Sequence, residues 1–234
     1  MDTSILDGLN PFDILDTEAA RLDAYFTLLN GADWDRPTRD EGWSRRDVVA
    51  HLAGSELYNH ACLNDDLDNF NGIMRRERID DVEAFTEWSV ATRRGLPVDE
   101  VVAEWRQKNG ETRRRMRALG PDAMLPTVVG PYPVGLQTFH FAVEYATHAD
   151  DIDAPVRPEE QAGRAAWRAR FGLFTLDEAD VPVDVEDKPG GYRVSLDGAS
   201  ADLSPEEFAE ATVRRLPPGH PLPEPLRRAM VVLV

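Results

Sequence analysis

The sequence predicts a mainly α protein, with a helical bundle over residues 1–155 followed by a small α+β domain over residues 156–234. Three observations carry that reading. Up to Ile152, apolar residues recur three or four positions apart in successive segments, the spacing of one helix face. Further on, Val181-Pro-Val-Asp-Val185 and Tyr192-Arg-Val-Ser-Leu196 alternate like strands around Pro189-Gly-Gly191, a hairpin turn. Asp153-Ala-Pro155 stops the helical pattern between the two regimes, and no internal repeat is present.

The first helix is expected over 11–29, with Ile14, Leu15, Leu22, Tyr25, Phe26 and Leu29 in register; Asn10 is its cap and Pro11 opens its first turn. Trp34 to Gly42 reads as a loop rich in Asp, Arg and Pro. Ser44 caps a second helix, with Asp47 three residues on as a shortened capping box. Val48, Val49, Leu52, Ala53 and Leu57 form its apolar stripe, and Gly54 would let a neighbouring helix approach closely. The stretch 65–81 is polar; its calcium-loop look fails for want of a terminal glutamate. Further helices are expected over 81–94 and 99–119. Arg113-Arg114-Arg115 reads as a solvated face near a helix C-terminus. A loop over 121–133 leads into a helix over about 137–152, and another follows over 159–176. Ser204-Pro-Glu-Glu207 opens a short helix before a proline-punctuated tail.

Composition narrows the function classes. A formal net charge of −17 disfavours nucleic acid and anionic membranes as partners. Cys62 is the only cysteine, so an internal disulfide is excluded and a reducing compartment is expected. The N-terminal stretch has no basic region followed by an apolar one, and no apolar run reaches membrane-spanning length. A cytoplasmic protein is the expectation, as a monomer or homodimer.

The chemistry concentrates in Gln137-Thr-Phe-His-Phe-Ala-Val-Glu-Tyr-Ala-Thr-His-Ala-Asp-Asp-Ile152. On a helix, His140, Glu144 and His148 share one face at successive turns. Imidazoles and a carboxylate that close can share a divalent cation, and catalytic zinc usually takes three protein ligands and keeps a fourth position open. One helix rarely completes such a set, so a histidine from another helix is expected, and Asp47-Val-Val-Ala-His-Leu-Ala-Gly54 offers His51. From the residues alone, His140 could take the place of His51 or line the pocket. Asp151 reads either as acceptor for a ligand imidazole's other N–H or as a solvated acid at the helix end. His60, Cys62 and His220 read as structural or surface groups, and the tryptophans at 34, 43, 88 and 105 as bundle packing.

Trp34, Gly42-Trp-Ser-Arg-Arg-Asp-Val-Val-Ala-His-Leu-Ala-Gly54 and Glu144-Tyr-Ala-Thr-His-Ala-Asp-Asp151 together resemble the DinB-like superfamily and, within it, the mycothiol-dependent maleylpyruvate isomerase family. The resemblance implies an up-down four-helix bundle holding zinc through His51, Glu144 and His148, with Asp151 matching a recurrent acid just beyond. It implies mycothiol as a low-molecular-weight thiol cosubstrate and a small electrophilic, carboxylate-bearing substrate. Two positions depart from the pattern: Val143 stands where members often carry arginine, and neither Arg227 nor Arg228 aligns unambiguously with a basic residue of the family's C-terminal domain.

The expected activity is therefore a zinc-dependent thiol S-transferase or cis-trans isomerase, with Asp151 and His140 as further catalytic candidates. Two alternatives are a zinc hydrolase on the same scaffold and a non-catalytic bundle that binds a small molecule or a partner.

Overall fold

The structure, a computed structural model, describes residues 2–233; Met1 and Val234 lie outside the described residues. It is mainly helical, with nine α-helices among the described residues and two small antiparallel sheets. Two compact units divide the chain: Asn10–Pro155, and the residues up to Leu9 together with Val156 onward.

The first unit contains α1 (Pro11–Leu28), α2 (Arg45–Leu63), α3 (Leu67–Glu77), α4 (Val82–Ala91), α5 (Val98–Leu119), strands β1 (Met124–Thr127) and β2 (Gly130–Pro133), and α6 (Val134–Asp151). Three of its helices, α1, α2 and α4, start where short polar side chains satisfy free N–H groups of the first turn. Asn10 accepts from the N–H groups of Phe12 and Asp13. Ser44 and Asp47 cap α2 reciprocally. In the packing, α2 lies against α5 and α4, and α1 lies against α6 and α5. Leu15, Leu22, Phe26, Val48, Val49, Leu52, Trp105 and Phe139 fill the interior, with the Phe26 and Trp105 rings edge to face at 5.2 Å.

One buried polar group ties three of these helices together. Glu56 of α2 is 1% exposed and accepts from Thr112 Oγ1 of α5 at 2.5 Å and from the Tyr145 hydroxyl of α6 at 3.0 Å. Trp105 Nε1–H donates to the same hydroxyl at 3.2 Å. Burial pushes the Glu56 carboxyl up, outweighing these bonds, which act to lower it.

Three local expectations are corrected. Within the polar stretch 65–81 lies α3, whose Phe70 is buried against Tyr58 and Phe85 at centroid distances of 5.4 and 5.5 Å. A single inward aromatic was too sparse a signal against the acidic background. The segment expected as a loop over 121–133 contains the β1–β2 hairpin, pinned by buried Leu125 and by Thr127 Oγ1 donating to the Gly130 carbonyl at 2.6 Å. The arginine run is more than a solvated face. Arg113 pairs with Asp16 and Arg117 with Asp13 and Asp16, joining α5 to α1.

The second unit holds α7 (Pro158–Glu178), strands β3 (Asp184–Lys188), β4 (Gly191–Leu196) and β5 (Ala199–Leu203), α8 (Pro205–Thr212) and α9 (Glu224–Ala229). The sheet order is β3-β4-β5, with Val185 opposite Val194 and Val194 opposite Ala201. Val194, Leu203, Phe208, Leu222, Leu226 and Met230 centre its core. The first strand starts three residues later than its alternation implied, because Pro182 has no N–H to give a ladder. No helix among the described residues is long and apolar enough to cross a membrane.

Gly54 is where α2 and α4 approach closely. A Cβ there would stand 2.4 Å from Ser89 Cβ and 2.7 Å from its Oγ. Ser89 Cβ is fixed to its backbone, so no rotamer change relieves the clash, and the helices would have to separate. Alanine is favoured over glycine within a helix by about 1 kcal/mol, whereas overpacking costs about 1–3 kcal/mol. Gly54→Ala should therefore lower stability by up to about 2 kcal/mol in urea unfolding, and Ser89→Gly in the same chain should restore most of it.

Candidate metal centre

The site begins with two short-range facts. Glu144 and His148 are one turn apart on α6, so their side chains leave the same face. His51 lies two turns into α2, on the edge of a stripe that buries Val48, Val49 and Leu52. Packing brings these faces together: His51 Nε2 is 2.5 Å from Glu144 Oε1, and His148 Nε2 is 3.6 Å from the same oxygen. The ligand atoms of all three residues lie within 4.8 Å of one another.

This donor set suits a divalent cation. Ligands about 2.0–2.2 Å from a tetrahedral zinc stand roughly 3.4 Å apart. The separation between Glu144 and His148 is already close to that, and the shorter bond from His51 would open by about 1 Å around an ion. The two imidazole side chains are 9% and 7% exposed and that of Glu144 is 37% exposed, so the cluster is reached from the carboxylate side.

Surrounding groups bias the protons. Burial works against an ionised Glu144, but the bonds from His148 and His51 outweigh it and hold the carboxyl well below its usual range. Burial likewise acts to lower His148, and the Asp151 and Glu144 carboxylates overcome it, raising the imidazole to about 9. Asp151, buried beneath the cluster, places Oδ2 3.1 Å from His148 Nδ1, at hydrogen-bond distance but off its ideal line. Its other oxygen is 3.7 Å from Arg39 Nε, and its backbone carbonyl accepts from the Arg39 N–H at 3.0 Å.

His140 is placed differently. It lies one turn before Glu144, and its Nε2 meets the Tyr132 hydroxyl at 3.3 Å instead of joining the three-residue cluster. His60 meets the Lys108 carbonyl at 3.2 Å, Cys62 is buried, and His220 pairs with Glu207 at 3.2 Å. Arg227 is spent on the carbonyls of Leu216, Pro217 and His220.

Residue-by-residue reading missed the loop that precedes α2. Asp40 sends a carboxylate oxygen within 4.8 Å of donor atoms of His148 and Asp151. Trp43, expected as bundle packing, lies against both imidazoles, at centroid distances of 5.3 Å from His51 and 6.1 Å from His148. A cavity of about 270 Å³ opens beside it, lined by Asp35, Thr38, Asp40 and Asp47 among others. The available signal was positional. Ser44 starts α2 and His51 lies two turns in, so the residues just before the cap must pass close to the cluster.

With this geometry in place, the comparisons with known proteins are specific. Residues 15–153 match the family described as the mycothiol maleylpyruvate isomerase N-terminal domain. Among solved structures, the chain is similar to mycothiol-dependent maleylpyruvate isomerase at 15% identity and a TM-score of 0.50. A histidine-to-alanine mutant of that enzyme is similar at 14% identity and the same TM-score; both matches cover 72% of this chain and 67% of theirs. No match is found among curated proteins.

The proton arrangement gives a pH-dependent stability for metal-free protein. His148, raised from 6.5 to about 9, contributes stability that is complete below about pH 6.5 and lost as pH rises through about 9. Glu144, lowered from 4.5, contributes stability that is present above about pH 4.5 and lost as pH falls. In chelator-treated protein, the excess melting temperature of wild type over His148→Gln should therefore be greatest between about pH 4.5 and 6.5 and shrink towards pH 10. A difference that grows with alkalinity would contradict this ion pairing.

Proposed function

This chain belongs to the mycothiol maleylpyruvate isomerase N-terminal domain family, and from that premise we propose that it is a metal-dependent isomerase working with a mycothiol-type thiol on a small cis-unsaturated carboxylate. One observation carries the proposal: His51, Glu144 and His148 converge from α2 and α6, within the residues that the family covers. In this reading α1, α2, α5 and α6 are the four helices of a DinB-like bundle, supported by the pairing of α2 with α5 and of α1 with α6. The sequence boundary at 155/156 then separates a metal-binding unit, Asn10–Pro155, from an accessory unit to which the residues up to Leu9 also belong.

His51 Nε2, His148 Nε2 and a Glu144 oxygen would hold the ion, zinc by the nitrogen and oxygen character of the set. A zinc ion there supplies acidity, lowering the pKa of a thiol so that it reacts as thiolate at neutral pH. The chain's own residues do the rest. Asp151 stabilises and orients the His148 ring through Nδ1, leaving Nε2 directed at the site. Glu144 keeps one side of the cluster open to incoming molecules. His140, bound to Tyr132 one turn away, lines the α6 face along which a substrate would approach.

The reaction balances without an added oxidant or reductant. A sulfur lone pair forms a bond to one carbon of the cis double bond, and the π pair of that double bond moves into the conjugated carbonyl. The resulting single bond rotates. The enolate then re-forms the double bond and expels the thiolate, giving the trans isomer and the thiol unchanged.

Three measurements test this. Purified protein should contain about one zinc per chain, and Glu144→Ala should retain less than about a tenth of it, because two imidazoles alone leave the set incomplete. Wild type should convert maleylpyruvate to its trans isomer only when mycothiol is present, without consuming the thiol. Apparent zinc affinity should rise with pH up to about 9, because His148 must give up its proton to bind. Zinc-loaded wild type without thiol-dependent turnover would overturn the isomerase reading, and stable zinc in Glu144→Ala would overturn the ligand set.

A further inference from the structure

A metal-binding imidazole is ordinarily fixed by what its second ring nitrogen meets, whether carboxylate, carbonyl or water. The two imidazoles of this cluster differ in that respect. Neither Nδ1 makes a well-aligned hydrogen bond, but His148 Nδ1 has a carboxylate beside it, Asp151 Oδ2 at 3.1 Å and off the ideal line. His51 Nδ1 is buried with no hydrogen-bond partner among the described residues. Rotation about the last torsion of a histidine is broad and only loosely two-fold, so Nδ1 contributes nothing to setting the ring plane of His51.

What the ring does meet is Trp43. The indole lies 5.3 Å from the His51 ring, inclined by 51°, and 6.1 Å from the His148 ring, nearly parallel at 15°. The two imidazoles are 4.8 Å apart and steeply inclined at 64°. Three rings therefore form one packed group, in which the indole touches both partners and carries no ligand atom itself.

The indole is in turn anchored. The Trp43 carbonyl accepts from the Thr38 N–H at 3.0 Å and from Thr38 Oγ1 at 3.2 Å, and its N–H donates to the Asp40 carbonyl at 3.1 Å. Nε1–H reaches Glu87 of α4 at 3.4 Å. The next residue, Ser44, is the cap of α2, which carries His51 two turns later. The loop and the ligand are thus built on one short piece of chain.

We propose that Trp43 is a positioning residue of the metal centre, an aromatic buttress that helps set the His51 ring plane where no hydrogen bond to Nδ1 does so and aligns it with His148. The inference rests on the metal reading above and extends it by dividing the labour: Asp151 orients one imidazole and Trp43 the other.

The test compares Trp43→Leu, which keeps apolar bulk without a ring, with Trp43→Phe, which keeps a ring without the indole N–H. Each metal-free protein is titrated with zinc against a competing chelator, and with cobalt(II) while its visible ligand-field bands are recorded. Trp43→Leu should bind zinc about 10–100-fold more weakly, the usual cost of losing a group that orients a ligand. Its cobalt bands should shift, while far-UV circular dichroism stays as in wild type. Trp43→Phe should stay within about threefold of wild type with unchanged bands, since the ring contact persists. If Trp43→Leu does not fold, Trp43→Met takes its place and is judged by the same criteria.

Zinc affinity within about twofold of wild type and an unaltered cobalt spectrum in the ringless variant would overturn the proposal. So would a Trp43→Phe defect as deep as that of Trp43→Leu, which would move the role to the Glu87 bond. Wild type that binds neither metal would instead sink the metal reading beneath it, a result that needs no Trp43 variant.

Discussion

A carboxylate flanked by imidazoles from two helices is the constraint on which the helical unit turns. An ionised Glu144 only partly open to water would be costly without partners, and His51 and His148 relieve that cost only if α2 and α6 keep their relative register. The bond between Tyr145 and Glu56 joins those two helices directly, one residue after Glu144 and five after His51. Thr112 and Trp105 bring α5 into the same network. The buried polar cluster therefore fixes the helix alignment that the centre needs. Leaving such a cluster half satisfied would cost more than an apolar core of the same shape.

The centre is also asymmetric. One imidazole has a carboxylate at its far nitrogen and the other has an indole against its face. Both supports come from the edges of the ligand-bearing helices: Asp151 is the last residue of α6, and Trp43 immediately precedes the cap of α2. Backbone N–H of Arg39 to the Asp151 carbonyl closes the loop against the end of α6. A rigid frame of this kind holds donor atoms in place before a ligand arrives, which is where metal selectivity and reactivity are set.

Much of the fold was legible in the residues. Asn10 before Pro11, Ser44 before Asp47 and Ser204 before Glu207 announce helix starts because a cap is a local bargain between one side chain and the next three N–H groups. Gly54 signalled a close approach without saying to what; Ser89 of α4 could come only from packing. Helix α3 and the β1–β2 hairpin were not legible. Each buries one main anchor, Phe70 or Leu125, and their remaining residues look like any polar loop.

By itself, the sequence determined which side chains could share a turn: Glu144 with His148 on one helix, with His140 a turn earlier, and His51 on another apolar stripe. Those relations follow from helical periodicity, which needs no partner. Tertiary structure alone decided that His51, not His140, meets Glu144, that Asp151 turns inward beneath His148, and that Trp43 belongs to the centre instead of the general core. The reason is physical: periodicity fixes directions along one helix, whereas the meeting of two helices and a loop depends on how many other side chains pack at once.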